Sequence, residues 1–150
     1  MSSSTVRTAF KGALTTNFSS QPLVDLTDQH SYLSDILDAA SVTSSTPWLG
    51  INFQAGGEEP ITVNATNDHG KYRETGLAHI HVVDIAKLGA SDTILSRAEA
   101  IRNYFRGRNM SGVIVLSVTP PSFDSGTTLD FEDGWVSASF MCEYQMDVNL

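Results

Sequence analysis

Apolar and polar positions alternate most clearly between Gly76 and Ile85. There Leu77, His79, His81, Val83 and Ile85 fall on one face of a strand, and Ala78, Ile80, Val82 and Asp84 on the other. Both faces carry apolar side chains, which suits a strand in the middle of a sheet. After Gly89-Ala90 the spacing becomes helical. Ile94, Leu95, Ala98, Ile101, Tyr104 and Phe105 form one stripe, while Arg97, Glu99, Arg102 and Arg106 take the opposite face. Ser91 or Asp92 is the expected N-cap and Gly107 the expected stop. The three arginines lie toward the C-terminal half, where they complement the helix dipole.

The same periodicities sort the rest of the chain. Val6, Ala9, Phe10, Ala13 and Leu14 mark a helix over 5–18, and Gln21-Pro22 ends it. Residues 23–46 are weakly patterned, with one helical turn expected around Tyr32, Leu33, Ile36 and Leu37. Trp48–Phe53 reads as a strand, as does the apolar run at 112–119, which Pro120-Pro121 stops. From Trp135 to Val148 the alternation is clean, with Val136, Ala138, Phe140, Cys142, Tyr144, Met146 and Val148 on the apolar face. The expected order is helix, strand, strand, helix, strand, strand. That order predicts a single α+β domain, with a mainly antiparallel four-stranded sheet and helices packed on one face. Two polar stretches interrupt it: a long excursion at 54–75 and an acidic loop at 120–133.

Charge narrows the partners. Nine lysines and arginines against 17 aspartates and glutamates leave a net charge of −8. With no basic cluster, the chain lacks the means to grip phosphates tightly. The sequence contains no apolar run long enough to span a membrane, and M-S-S-S-T-V-R-T-A-F has no signal-peptide core, so a soluble intracellular origin is expected. A single cysteine, Cys142, excludes a disulfide-stapled scaffold.

Few residues suggest chemistry. His79-x-His81 places two imidazoles on one strand face, but zinc or iron requires at least one more ligand, and neither His30 nor His69 is tied to the pair. Two histidines hydrogen-bonded on a sheet face are the simpler reading. Cys142 falls among apolar neighbours and reads as a core side chain. No phosphate-binding loop, nucleophile elbow or dinucleotide fingerprint is present. The expectation is a non-enzymatic protein without metal or cofactor.

Several phrases together resemble the tail terminator (tail completion) proteins of long-tailed, non-contractile bacteriophages. They are T-V-R-T-A-F-K-G-A-L near the N-terminus, Pro47-Trp48-Leu49 opening a strand, Y-R-E-T-G-L at 72–77, S-R-A-E-A-I-R-N-Y-F-R at 96–106, and D-G-W-V-S-A-S-F at 133–140. The resemblance spans nearly the whole chain. It implies a structural virion protein at the head-proximal end of the tail, made in the host cytoplasm. Six copies would form a ring that caps the tail tube and stops its polymerisation. Its partners would be further copies of itself, the major tail tube protein and a head-completion or stopper protein. Genome DNA would pass through the lumen without tight binding, and no membrane would be involved. A ring needs two different complementary faces per subunit. The expected interface residues are Glu58, Glu59, Ile61, Val63, Tyr72 and Arg73, in the 54–75 excursion. Asp124, Asp130, Glu132 and Asp133 are expected to line the lumen or rim. Two alternatives remain from the sequence: another head–tail connector component, a stopper or adaptor, or a small α/β metal- or ligand-binding domain using His79 and His81.

Overall fold

Three strands of fifteen residues each carry the architecture: β2 (Trp48–Thr62), β3 (Lys71–Ile85) and β7 (Trp135–Asn149). The computed structural model describes residues 4–27, 33–40, 42–43, 46–62, 71–85, 88–123 and 135–149. Around the long strands lie α1 (Ser4–Asn17), β1 (Leu23–Asp25), α2 (Leu33–Ala39), α3 (Ala90–Phe105), β4 (Asn109–Met110), β5 (Val113–Val118) and β6 (Ser122–Phe123). The sheet order is β1-β2-β3-β7-β5-β4, with β6 also paired to β7.

This arrangement corrects the expected fold. The described chain is mostly β, with three helices, and its seven strands form one curled, mixed sheet that amounts to a half-barrel. A four-stranded antiparallel sheet is only its middle. The added strands are too short to show a period. β1 has three residues and runs parallel to β2, held by hydrogen bonds that the Leu49 amide donates to the Pro22 carbonyl and the Leu26 amide to the Ile51 carbonyl. β6 resumes pairing with β7 beyond Pro120-Pro121, whose missing N–H groups interrupt the ladder from β5. The helices also occupy both faces rather than one. Neighbouring residues Val82 and Val83 point to opposite sides, as do Leu49 and Trp48, and each side has its own core.

The larger core joins Val6, Phe10 and Leu14 of α1 and Ile94, Ala98, Ile101 and Phe105 of α3 to Ile80, Val82, Phe140 and Tyr144. Phe10 is its hub, with ring centroids 5.3 Å from Phe105, 5.9 Å from Tyr144 and 6.0 Å from Phe53. The pairs with Tyr144 and Phe53 are edge-to-face, a geometry that adds to simple burial. The smaller core sets Leu37 of α2 against Val24, Leu26, Trp48 and Val83, with Trp135 stacked edge-on at 5.8 Å from Trp48. The start of α3 also differs from expectation. Neither Ser91 nor Asp92 caps it; Gly89 does so in a left-handed conformation (φ 82°), with no side-chain capping bond. The Gly89 carbonyl instead accepts from both the Thr93 amide and hydroxyl.

Two aspartates fix helices to the sheet. Asp84, almost fully buried, accepts from Arg97 of α3 at 3.0 Å and from the Ile85 amide at 2.7 Å. Asp25 on β1 accepts from Arg7 (2.6 Å) and Lys11 (2.8 Å) of α1 and from the Thr27 amide (2.9 Å). Burial alone would raise the Asp25 pKa, but Lys11, the Thr27 amide and Arg7 outweigh it and hold the carboxyl well below its ordinary 3.8. A depressed folded-state pKa contributes stability that is fully present above 3.8 and is lost as pH falls toward the folded value. Asp25→Asn is therefore expected to cost about 1.5–3 kcal/mol at neutral pH. It should also flatten the acid limb of the stability–pH profile, measured by urea unfolding from neutral pH downward.

Gly76 faces Tyr144 across the β3–β7 ladder. A Cβ there would sit 2.4 Å from the Tyr144 hydroxyl oxygen and 2.7 Å from the Gln54 carbonyl oxygen, well inside contact. Gly57, by contrast, has open space where a Cβ would go. Gly76→Ala should cost about 1–3 kcal/mol as an overpacked site, whereas Gly57→Ala should leave the urea midpoint nearly unchanged.

Candidate functional site

The polar stretch at 54–75 is built largely of strand. Its first nine residues continue β2 to Thr62 and its last five begin β3. The register brings Glu58 opposite Glu74, Glu59 opposite Arg73, and Pro60 opposite Tyr72. Four of the six candidate interface residues, Glu58, Glu59, Tyr72 and Arg73, thus lie on one paired ladder. Ile61 sits half-buried beside them on β2, and Val63 falls outside the described residues. So do Asp124, Asp130, Glu132 and Asp133 of the acidic loop.

β3 pairs with β7 along its full length, so the hairpin carries a third strand and forms a flange. Across it runs a row of charges, Glu59, Arg73 and Asp147. Arg73 grips Asp147 with two parallel bonds, Nε to Oδ1 at 2.8 Å and Nη2 to Oδ2 at 3.2 Å, and Lys71 Nζ stands 3.8 Å away. The bond from Arg73 lowers the Asp147 pKa, and the same bond raises that of Arg73. Both groups are open to solvent, so the fork sets register more than it stabilises. Beneath them Glu74 is buried and accepts from the Tyr144 hydroxyl at 3.3 Å.

The outer side of β2 is the unusual feature. Gln54 through Pro60 are all exposed, on both faces. β1 covers only Leu49–Ile51, and the Thr27 hydroxyl accepts from the Phe53 amide; beyond that, no described strand pairs the outer side of β2. The pairing with β3 is kinked at Ala55/Gly57 and at Pro60/Thr62. Such irregularities and a proline are the usual devices that keep an open edge from pairing indiscriminately.

The other sequence candidates resolve differently. His79 and His81 stack with ring centroids 4.1 Å apart, and His81, buried, has Nε2 3.3 Å from Asn52 Oδ1. No group of three metal-binding side chains occurs among the described residues. Cys142 is buried in the main core, and burial pushes its thiol up to about 12, far from a reactive thiolate.

Sequence reasoning missed the opposite edge of the sheet. It assigned Arg102 and Arg106 to the helix dipole and gave Arg108 no role. The Arg108 carbonyl accepts from the Val115 amide at 2.9 Å, and Arg102 Nη2 donates to the Val118 carbonyl at 3.3 Å, so both residues lie against β5. Leu116 and Phe123 are exposed along the same edge. Only the sheet order could have placed these residues together.

No family model and no curated protein matches this chain. Its fold is similar to that of a solved structure known only by a sequence identifier. The two are 19% identical with a TM-score of 0.52, over 97% of this chain and 96% of that chain. That likeness establishes a shared fold and carries no function with it. Among the described residues no helix is long and apolar enough to cross a membrane.

Cys142 supplies a test of the packing around these strands. A maleimide is expected to leave the native protein unlabelled and to label Cys142 fully in denaturant, read by mass spectrometry. Rapid labelling of the native protein would mean that β7 is less tightly packed than described.

Proposed function

We propose that this chain is a tail terminator of a long-tailed, non-contractile phage. Six copies form a ring on the head-proximal end of the tail tube, stop its growth and present the opposite face to the head-completion or stopper protein. Genome DNA passes through the lumen. The observation that carries this reading is the β2–β3–β7 flange, whose outer strand stands exposed on both faces from Gln54 to Pro60. A monomer gains little from extending three paired strands into solvent, whereas a ring subunit needs a surface for its neighbour.

Charge supports the same reading. A net charge of −8 keeps passing phosphates from adhering to the ring. The phrases that resemble tail terminators map onto α1, the start of β2, the start of β3, α3 and the start of β7. The adjacent His79 and His81 rings, with His81 hydrogen-bonded to Asn52, give no comparable support to a metal-dependent function.

The test is made in the particle, where the tube is present to receive the ring. Electron microscopy of tails carrying the tagged protein should place six copies at the head-proximal end. Replacing residues 56–70 with a short Gly-Ser linker should abolish ring formation and leave heads and tails unjoined. Location at the tail tip, or a ring of another copy number, would overturn the assignment.

A further inference from the structure

The two ends of the sheet carry opposite charge. At the β2 end stand Glu58 and Glu59, both exposed. Glu59 faces Arg73, whose guanidinium is already engaged by Asp147, and no ion pair holds Glu58 among the described residues. Toward the β4–β5 end, Arg102 and Arg108 lie against β5, and Arg106 caps the C-terminus of α3 between them in sequence. The other described basic residues are matched: Arg7 and Lys11 by Asp25, Lys71 and Arg73 by Asp147, and Arg97 by Asp84. The three arginines at the far edge have no carboxylate among the described residues. Arg102 Nε is buried without an acceptor. The Arg108 guanidinium lies 3.9 Å over the Tyr104 ring and donates to the Tyr104 carbonyl at 2.7 Å. Exposed Arg106 and Arg108 thus set positive charge at the end of the sheet opposite Glu58 and Glu59.

We infer that copies of this chain meet head to tail, the acidic outer edge of β2 in one copy lying against the arginine-bearing β4–β5 edge of the next. The two edges differ, so the contact is heterologous, and repeating it closes a ring when the rotation per step allows. Leu116 and Phe123, 47% and 42% exposed, supply apolar surface farther along the same β5–β6 edge. Pro60 on one edge and Pro120-Pro121 on the other remove backbone donors, so the two edges cannot share a long ladder. Recognition therefore rests on charge and on the two apolar side chains. This inference deepens the ring reading above by naming both of its subunit faces.

The experiment is a charge exchange in the full chain. Glu58→Arg/Glu59→Arg and Arg106→Glu/Arg108→Glu should each reduce ring yield on tail tubes about tenfold or more, and the four changes combined should restore it. Circular dichroism checks that each variant folds. If a double variant fails to fold, crosslinking replaces it: a mixture of Glu58→Cys and Arg106→Cys chains should join only 58 to 106, with buried Cys142 silent. Normal rings from both double variants would overturn the pairing while leaving the six-copy ring in place. Rings that form normally with Arg106→Glu/Arg108→Glu but fail to seat on the tube would also overturn it, assigning the arginines to another partner. Absence of any wild-type ring in the particle would overturn the pairing and the ring reading together.

Discussion

A tyrosine ring laid across a glycine sets how closely the main helix layer meets the sheet. Tyr144 on β7 covers Gly76 on β3, and the same ring packs against Phe10 of α1 while its hydroxyl donates to buried Glu74. Any side chain at position 76 would lift the ring, and with it the aromatic cluster around Phe10. The same crossing stands where the covered part of the sheet gives way to the exposed flange. Core packing and the placement of the candidate interface thus depend on one close approach.

The parts of the fold that could be read from the chain are those with long, uninterrupted periods. The stripe at Ile94, Ala98, Ile101 and Phe105 and the alternation from Trp135 onward each repeat often enough to fix an element and its buried face. β1, β4 and β6 have three residues or fewer and owe their pairing to neighbours distant in sequence, so no local pattern marks them. The second helix-bearing face was missed for a related reason. Trp48 and Val83 lie on strands whose other faces are equally apolar, and the seven residues of α2 are too few to show which side they cover. At the candidate site the residue types Glu58, Glu59, Tyr72 and Arg73 were legible. Their polarity suggested a loop, because an exposed strand edge and a loop have similar composition.

Carboxylates do unequal work in this acidic chain. Asp25 joins α1 to β1, Asp84 joins α3 to β3, and Asp147 joins β7 to β3. Each links elements far apart in sequence, and removing one partner from the buried Asp84 pair would strand a charge beneath α3. Exposed Glu58 and Glu59 join no such pair among the described residues, which leaves them available for contacts with another molecule.

The sheet order has a consequence for synthesis. β7 comes last among the described strands, yet it lies between β3 and β5 and pairs with both. Until it emerges from the ribosome, β3 has a bare edge fifteen residues long and β5 has no partner on its inner side. α1 and α3 meanwhile lack the Phe140 and Tyr144 surface they pack against. Such long-range pairing is slow to form and open to misassociation. The nascent chain must therefore be kept from pairing with its neighbours on the same message until its final strand arrives.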